Sequence, residues 1–434
     1  MPNDQEIVDV SQEIPSAAAR TSNLQPPAYG VDFWTLLTDP EYLRDPYPQL
    51  KRIRELAPIH FDSTTGIYFV LGYEEFGRMA RSRDLGRDIR VWTHSWNSEE
   101  NRRRDPAAYA LFHEFQPQMI NANPPDHRRM RGVFEKAFRP QNMAQYFPMI
   151  EAECEKLLDA LLVDEPFDFM TTFANVLPHR ISLNLFDIPQ SMDEPVAKWI
   201  AALSWIGNII MTPEQKHEAQ VAQKEFKAFV KEHLAACSAN PGEGFISMAL
   251  NAFSEGIMDE EENLNNVAML ISGSRTTLTL LGNGMLCLLR NPDQFAKLRA
   301  NRGLMKTAIE EMLRYEPGSS IIPRAVVTDF QCCDTLFPAG SLAIGLVGAI
   351  SRDPAAFRNP DVFDVAREPN LHHVFGGGPH ICIGKALARM TAQVAFTMLM
   401  DRFPTIELAG EADWWVDRSD QRGLNSLPLR LRTH

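Results

Sequence analysis

The sequence predicts one large, mainly helical domain with a small β region, and three observations carry that reading. Helix-compatible patterning dominates residues 141–248 and again runs from Asp259 to Arg290. Alternating apolar residues bounded by turn signals are confined to two short stretches, Ile67–Gly72 and Phe330–Ala349. No repeat, low-complexity linker or composition break divides the 434 residues, and 44% apolar content is enough for a sizeable core.

The elements follow in order. Residues 1–25 are expected to form a flexible tail, with the folded domain spanning 26–434. Asp45–Leu56 carries prolines at its start and reads as a first helix. Ile67–Gly72 reads as a strand, and alternation over His60–Phe69 suggests a small sheet. Gly86–Asn123 shows few regular signals, and a long irregular stretch in a compact domain is usually functional. It holds Trp92, Trp96 and the run Arg102-Arg103-Arg104. The two tryptophans suit surface packing and substrate contact about equally. Most of Gln141–Met248 is helical, with breaks expected at Pro166, Pro178, Pro189 and Pro213.

The longest predicted helix starts at a D-x-x-E signal, Asp259 with Glu262, and ends before Asn291-Pro292. At 1.5 Å per residue it would extend roughly 48 Å, enough to cross the molecule. Gly303–Tyr315 is a further helix stopped by Pro317, and Phe330–Ala349 reads as a hairpin.

Composition narrows the function. A net charge of −13 argues against a nucleic-acid partner. Six scattered cysteines suit a reducing compartment. No apolar run is long enough to cross a bilayer, and residues 1–19 lack the basic and apolar regions of a secretory signal. A cytoplasmic protein is expected.

One stretch concentrates chemistry: Phe375-Gly376-Gly377-Gly378-Pro379-His380-Ile381-Cys382-Ile383-Gly384. Three consecutive glycines suit a tight turn with positive φ. A helical run follows from Lys385 to about Leu399, so Cys382 falls where a glycine-rich loop meets a helix N-terminus. Loop amides and the helix dipole both favour a thiolate there. No second cysteine lies within four positions, which disfavours zinc and iron–sulfur sites. A single thiolate on haem iron fits better, because haem needs one protein ligand on its proximal side. Taken alone, the stretch still admits a buried structural cysteine beside a turn.

Phe375, Gly378, His380, Cys382 and Gly384 resemble the haem-binding signature of the cytochrome P450 family, and three further motifs stand in the order that family shows. Glu311 and Arg314 match its E-x-x-R motif, about seventy residues before the cysteine; by spacing alone they would be a solvated ion pair. The resemblance implies instead a buried pair that locks the haem loop. Ser351-Arg352-Asp353-Pro354 through Phe357, Pro360, Phe363 and Arg367 follows the family's structural segment. Asn123-Pro124-Pro125-Asp126-His127 opens a helix with His127 and Arg131 on one face. Haem carries two propionates, and the resemblance assigns them to His127 and Arg131, with Arg324 and His380 as further donors.

The remaining motif, on the long helix, is Ser272-Gly273-Ser274-Arg275-Thr276-Thr277. In the family this segment reads small-Gly-x-acid-Thr-Thr. The resemblance implies that Gly273 lets the helix open for dioxygen and water, and that Thr276 helps deliver protons for O–O cleavage. A threonine within a helix can also simply bond its own backbone. Arg275 stands where the family has an acid, and a guanidinium cannot shuttle protons. Three readings of Arg275 follow. It pairs with an acid such as Asp187 or Glu194; it anchors a substrate carboxylate; or the protein uses hydrogen peroxide, as a family branch with arginine here does. That branch lacks the threonine kept in this chain.

The resemblance thus implies a haem-thiolate monooxygenase of the bacterial type, inserting one oxygen atom into a small, mostly apolar organic substrate. Electrons would come through a ferredoxin reductase and a ferredoxin, and the protein would be a monomer. Lys385, Arg389, Arg128, Arg129 and Lys136 are candidates for a basic docking patch, though plain solvation explains them nearly as well. Trp92, Trp96, Trp205, Met269, Leu270, Ser319, Ile321 and Ile322 are expected around the substrate. A non-catalytic haem or ligand-binding protein is the alternative of another class.

Overall fold

The computed structural model describes residues 30–208, 211–240 and 242–433. The expected tail, 1–25, lies outside the described residues. Two short helical turns, Phe33–Leu36 and Pro40–Arg44, lead into α1 (Tyr47–Leu56), which has proline in its first turn. The antiparallel pair β1 (Ile59–Asp62) and β2 (Ile67–Val70) follows, then α2 (Tyr73–Arg81) and β3 (Leu85–Gly86).

The stretch expected to be irregular contains two helices, α3 (Glu99–Arg104) and α4 (Pro106–Phe115). Their starts are set by side chains that accept orphan amides: Ser98 takes the Asn101 N–H and Asp105 the Ala108 N–H, with Pro106 following. These helices were hard to see because both are short and α3 buries no residue.

Next come α5 (Asp126–Glu135), α6 (Phe147–Asp159), β4 (Phe167–Asp168), α7 (Val176–Leu185), α8 (Asp193–Leu203), α9 (Pro213–Cys237) and α10 (Phe245–Ser254). Pro178 does not break the chain. It sits in the first turn of α7, where its missing N–H would have no helical partner.

The longest predicted helix is two. α11 (Glu260–Ser272) begins at the expected capping box, with the Asp259 and Glu262 side chains each accepting the other's backbone N–H. α12 (Arg275–Arg290) resumes after Gly273-Ser274. At the break, Gly273 N bonds Leu270 O and Thr277 N bonds Ser274 O, so the backbone tightens to three-residue spacing. Then follow α13 (Pro292–Ala300), α14 (Met305–Tyr315), β5 (Ile321–Val326), the hairpin β6 (Phe330–Cys332) and β7 (Thr335–Phe337), and β8 (Leu342–Leu346). The expected hairpin is therefore shorter, and β8 leaves it for the main sheet. The chain closes with α15 (Lys385–Arg402) and β9 to β12: Thr405–Leu408, Asp413–Trp414, Leu424–Ser426 and Pro428–Arg432.

The main sheet has the order β1-β2-β8-β5-β3. β2 pairs β8 in parallel (Phe69↔Ile344), whereas β5 pairs β8 antiparallel (Arg324↔Ala343). Two apolar clusters pack on this sheet, and the largest cluster fills the helical body. Within that body α12, α14 and α15 approach closely at Gly284. A Cβ there would lie 2.8 Å from Met312 Sδ and 3.0 Å from Phe396 Cζ. The helix carrying the break is thus fixed against the helix that follows the cysteine.

Candidate haem-thiolate site

The cysteine loop folds as its glycines predict. Gly376 and Gly378 take φ of 72° and 63°, and Gly378–His380 forms a single 3-10 turn. A Cβ on Gly378 would collide with the Ala80 carbonyl oxygen of α2, so this position also needs the missing side chain. Cys382 N donates to Phe375 O at 2.9 Å, closing the loop, and Gly384 precedes the first turn of α15. Burial pushes the Cys382 thiol above its ordinary range. The Gly384 N–H and the charges of Arg131, Lys385 and Arg389 act the other way. The loop therefore favours a thiolate only in part, and a metal on sulfur would complete the deprotonation.

A second network holds this loop. Glu311 and Arg314 of α14 are fully buried, with Arg314 Nε 2.7 Å and Nη2 2.9 Å from the two carboxylate oxygens. The implied buried pair is present. Glu311 also accepts from Arg367 Nε, Asn370 Nδ2 and Asp364 N. Arg314 donates to the carbonyls of Ser351, Pro360 and Val362, so the segment 351–370 is tied to α14 through both members of the pair. One residue earlier, Glu310 receives Arg389 of α15 at 2.6 Å and His372 at 3.1 Å. Burial works against its charge, but these partners outweigh it and hold the carboxyl at about 2. Arg389 in turn lies 4.6 Å over the Phe375 ring.

On the other side of the loop, basic groups gather without matching acids. His127 of α5 is buried, with its ring centroid 3.9 Å from that of His380. Arg324 of β5 is 3% exposed and donates only to the carbonyls of Pro323 and Gly377. Arg131 has Glu135 at 3.6 Å as its carboxylate neighbour. The cost of this grouping shows in the protonation of its members. Burial, then the charges of Arg131 and Arg324, hold His127 at about 4; burial and the same neighbours hold His380 at about 2. Burial and Arg87 bring Arg324 down to about 9.

Arg87 belongs to this group and was missed. It donates to Ile120 O and Pro323 O, and burial lowers its guanidinium to about 10. Its position after Gly86 carries no sequence signal; only the pairing of β3 with β5 brings it beside Arg324.

The break between α11 and α12 opens the helix that packs against α15 at Gly284. Gly273 and Thr276 are exposed, although nearly every residue from Thr277 to Leu288 is buried. The Thr276 hydroxyl bonds no described residue. Arg275 does not reach Asp187 or Glu194, and Glu194 pairs with Lys198. Its Nε donates to Gln421 Oε1 at 3.0 Å, and its guanidinium lies 5.1 Å from the Trp415 ring centroid. Gln421 and Trp415 sit in the connection between β10 and β11, and an isolated bridge joins Gln421 to Ser319.

Other expectations separate here. Trp92 packs against the sheet cluster of Phe33 and Phe69 and donates to Thr65 O; Trp96 stacks on Phe112 and meets Tyr109 at a tilt and His113 edge-on. Both are occupied by packing. Trp205 does reach the Arg275 region, through Arg418. In the basic patch, Arg129 pairs with Asp126 and Glu262, and Arg389 with Glu310. Arg128 and Lys136 remain exposed and Lys385 half-buried.

A lone cysteine at a loop–helix junction, beside buried cations that lack acids, is the donor set of a haem protein whose propionates supply the missing charge. The sequence comparisons identify which. A cytochrome P450 family profile matches residues 90–429. The biotin biosynthesis cytochrome P450 of Bacillus subtilis is 32% identical over 393 residues, covering 90% of this chain and 97% of the relative. Among solved structures, P450BioI in complex with hexadec-9Z-enoic acid ligated acyl carrier protein matches at TM-score 0.83 and 30% identity, covering 90% of this chain and all of that one. The myxobacterial CYP267B1 in complex with myristic acid matches at TM-score 0.82 and 29% identity, covering 92% of this chain and all of its own. The chain belongs to the cytochrome P450 family. It is a haem-dependent oxidoreductase of the monooxygenase class. Among the described residues, no helix is long and apolar enough to cross a membrane.

Proposed function

We propose that this enzyme inserts one oxygen atom into a small, mostly apolar organic substrate, with Cys382 as the iron ligand and a ferredoxin-type protein as electron donor. The observation that carries the site assignment is the set of buried and half-buried bases beside the cysteine loop. His127, Arg131, Arg324 and His380 have a single carboxylate among them, the largely exposed Glu135, which is what two propionates would require. When bound, haem supplies the activation of dioxygen for insertion into a C–H or C=C bond.

The chain's own residues do the rest. Cys382 would hold the haem iron through its sulfur and would supply it with electron density. Phe375 packs beneath Arg389 and, with Gly376 and Gly384, keeps the sulfur at the mouth of α15. Gly273 and Thr276 present an open stretch of helix, where the free Thr276 hydroxyl can hold a proton donor to oxygen. Arg275 cannot relay a proton, so proton delivery runs through Thr276 and water. The myristic acid and acyl-carrier complexes of the two structural relatives support a pocket for apolar chains. Arg128, Lys136 and Lys385 remain available to an acidic redox partner.

The test is product formation coupled to NAD(P)H oxidation by the enzyme reconstituted with a ferredoxin and its reductase. Oxygenated product in proportion to cofactor consumed is expected. Reduction of the enzyme without product from any member of a panel of fatty acids, terpenes, steroids and aromatics would contradict the reading.

A further inference from the structure

We propose that Arg275 and Arg418 form an anion subsite that takes the carboxylate of an organic-acid substrate, an inference that rests on the monooxygenase reading above.

Arg275 is underused. A guanidinium carries five N–H donors, and the structure gives this one a single hydrogen bond, from Nε to the neutral amide of Gln421. Neither Nη donates to a described residue, and no carboxylate of a described residue lies within ion-pair distance. The Nη fork therefore retains the geometry for a two-point bond to a carboxylate. It stands one residue from Thr276, at the only part of α12's first two turns that is open beside the helix break.

Arg418 supplies a second cation from a different element. It is 5% exposed, and among the described residues its Nη atoms reach only Ser204 Oγ, at 3.4 and 3.5 Å. Its guanidinium lies 4.3 Å from the Trp205 ring centroid and 5.0 Å from that of Trp415, the same ring that Arg275 meets at 5.1 Å. Two like charges are thus held around one indole. Burial and then Arg418 lower the Arg275 guanidinium to about 10.

The nearby acids do not balance them. Asp417 is exposed. Asp420 feels both guanidinia but contacts neither, and its Oδ1 is buried with no hydrogen-bond partner among the described residues. Burial raises its carboxyl above the ordinary range. The cluster therefore holds two cations and one acid that pairs with neither, an arrangement that is costly unless a further anion enters. The surroundings decide the chemistry of that anion. The Trp205 and Trp415 rings offer apolar walls and few neutral donors, which suits a single carboxylate on an apolar body better than a phosphate dianion. With the carboxylate at Arg275, the oxidised carbon is the one whose reach from that head group brings it to the Gly273–Thr276 window.

Equilibrium titration of the purified holoenzyme, read as the shift of its Soret band, tests this with two matched pairs: dodecanoate against methyl dodecanoate, and 4-tert-butylbenzoate against its methyl ester. At least one acid should bind about tenfold more tightly than its ester, the factor expected from one charge-assisted contact. Arg275→Gln should abolish that preference by weakening the acid far more than the ester, and Arg275→Lys should keep part of it. Asp420→Asn should move the other way and tighten acid binding, which a merely structural role for the cluster would not produce. Equal binding of acid and ester in both pairs, or a preference that survives Arg275→Gln, overturns the subsite. The reduced carbon monoxide spectrum of the same samples separates the two levels. A normal thiolate spectrum without acid preference sinks the subsite alone, whereas loss of that spectrum in the wild type sinks the monooxygenase reading on which it rests.

Discussion

Glu311 is a fully buried acid and Asp420 a half-buried one with a buried Oδ1; both are flanked by arginines, and the molecule treats them in opposite ways. Glu311 accepts from Arg314, Arg367, Asn370 and the Asp364 backbone, while its partner Arg314 spends its other donors on three carbonyls. Asp420 has an oxygen with no partner, and the two guanidinia in its field are bonded to an amide and, at long range, to a hydroxyl. In the first region the ion pair itself is fully satisfied by protein and fixes the loop that carries Cys382. The second leaves donors over on the side of the molecule where a ligand would sit. Saturated polar networks confer rigidity, and unsaturated ones mark where something else binds.

The largest effect should come from breaking the saturated side. Glu311→Ala strands a fully buried Arg314 and removes the link to residues 364–370, at a cost of about 3–5 kcal/mol. Soluble yield and a denaturant titration should show little folded protein; normal stability would mean the pair is not the anchor described here. Arg324→Gln comes next. It removes one buried cation from the group proposed to hold the propionates, so haem affinity should fall by on the order of 1.5–3 kcal/mol while the fold persists. Haem transfer to a competing apoprotein measures this, and an unchanged transfer rate would remove Arg324 from the site.

A smaller, pH-dependent effect should come from His373, which lies under the loop and tilts on Tyr73 at 4.4 Å. Burial, with Arg81 and His372, holds it at about 4, below the ordinary value of 6.5. The unfolded chain therefore takes up a proton that the folded one refuses, and stability should fall as pH drops from about 6.5 to about 4. His373→Phe should flatten that decline in denaturation series at successive pH values; an unchanged slope would assign it to other groups. The smallest effect is expected at Asp420. Asp420→Asn removes a charge raised by burial and one carboxylate oxygen that has no partner, so thermal stability should stay level or rise slightly. A clear loss would show that Asp420 is as much a structural partner as Glu311.

The same contrast explains what could be read from the chain. The cysteine loop, the E-x-x-R pair and the His127–Arg131 face are local: each is a short run whose spacing alone brings its members together. The capping box of Asp259 and Glu262 is legible for the same reason. What stayed hidden is assembled from afar. Arg87 meets Arg324 only because β3 pairs with β5, and Arg275 meets Gln421 across 146 positions. The Trp414-Trp415 pair and the charged turn behind it were the available signal for the second cluster. The break in the long helix was expected only as a local opening at Gly273 and not as a boundary between two helices, because a single glycine is compatible with a continuous helix.

The account depends most on Cys382 being held as a thiolate on iron by the saturated side of the molecule. The reduced carbon monoxide complex tests that directly. The wild type should absorb at the red-shifted position typical of a thiolate ligand, and Cys382→His should lose that band while retaining folded protein by circular dichroism. A Cys382→His variant that kept the thiolate band, or a haem-loaded wild type that never showed it, would contradict the assignment.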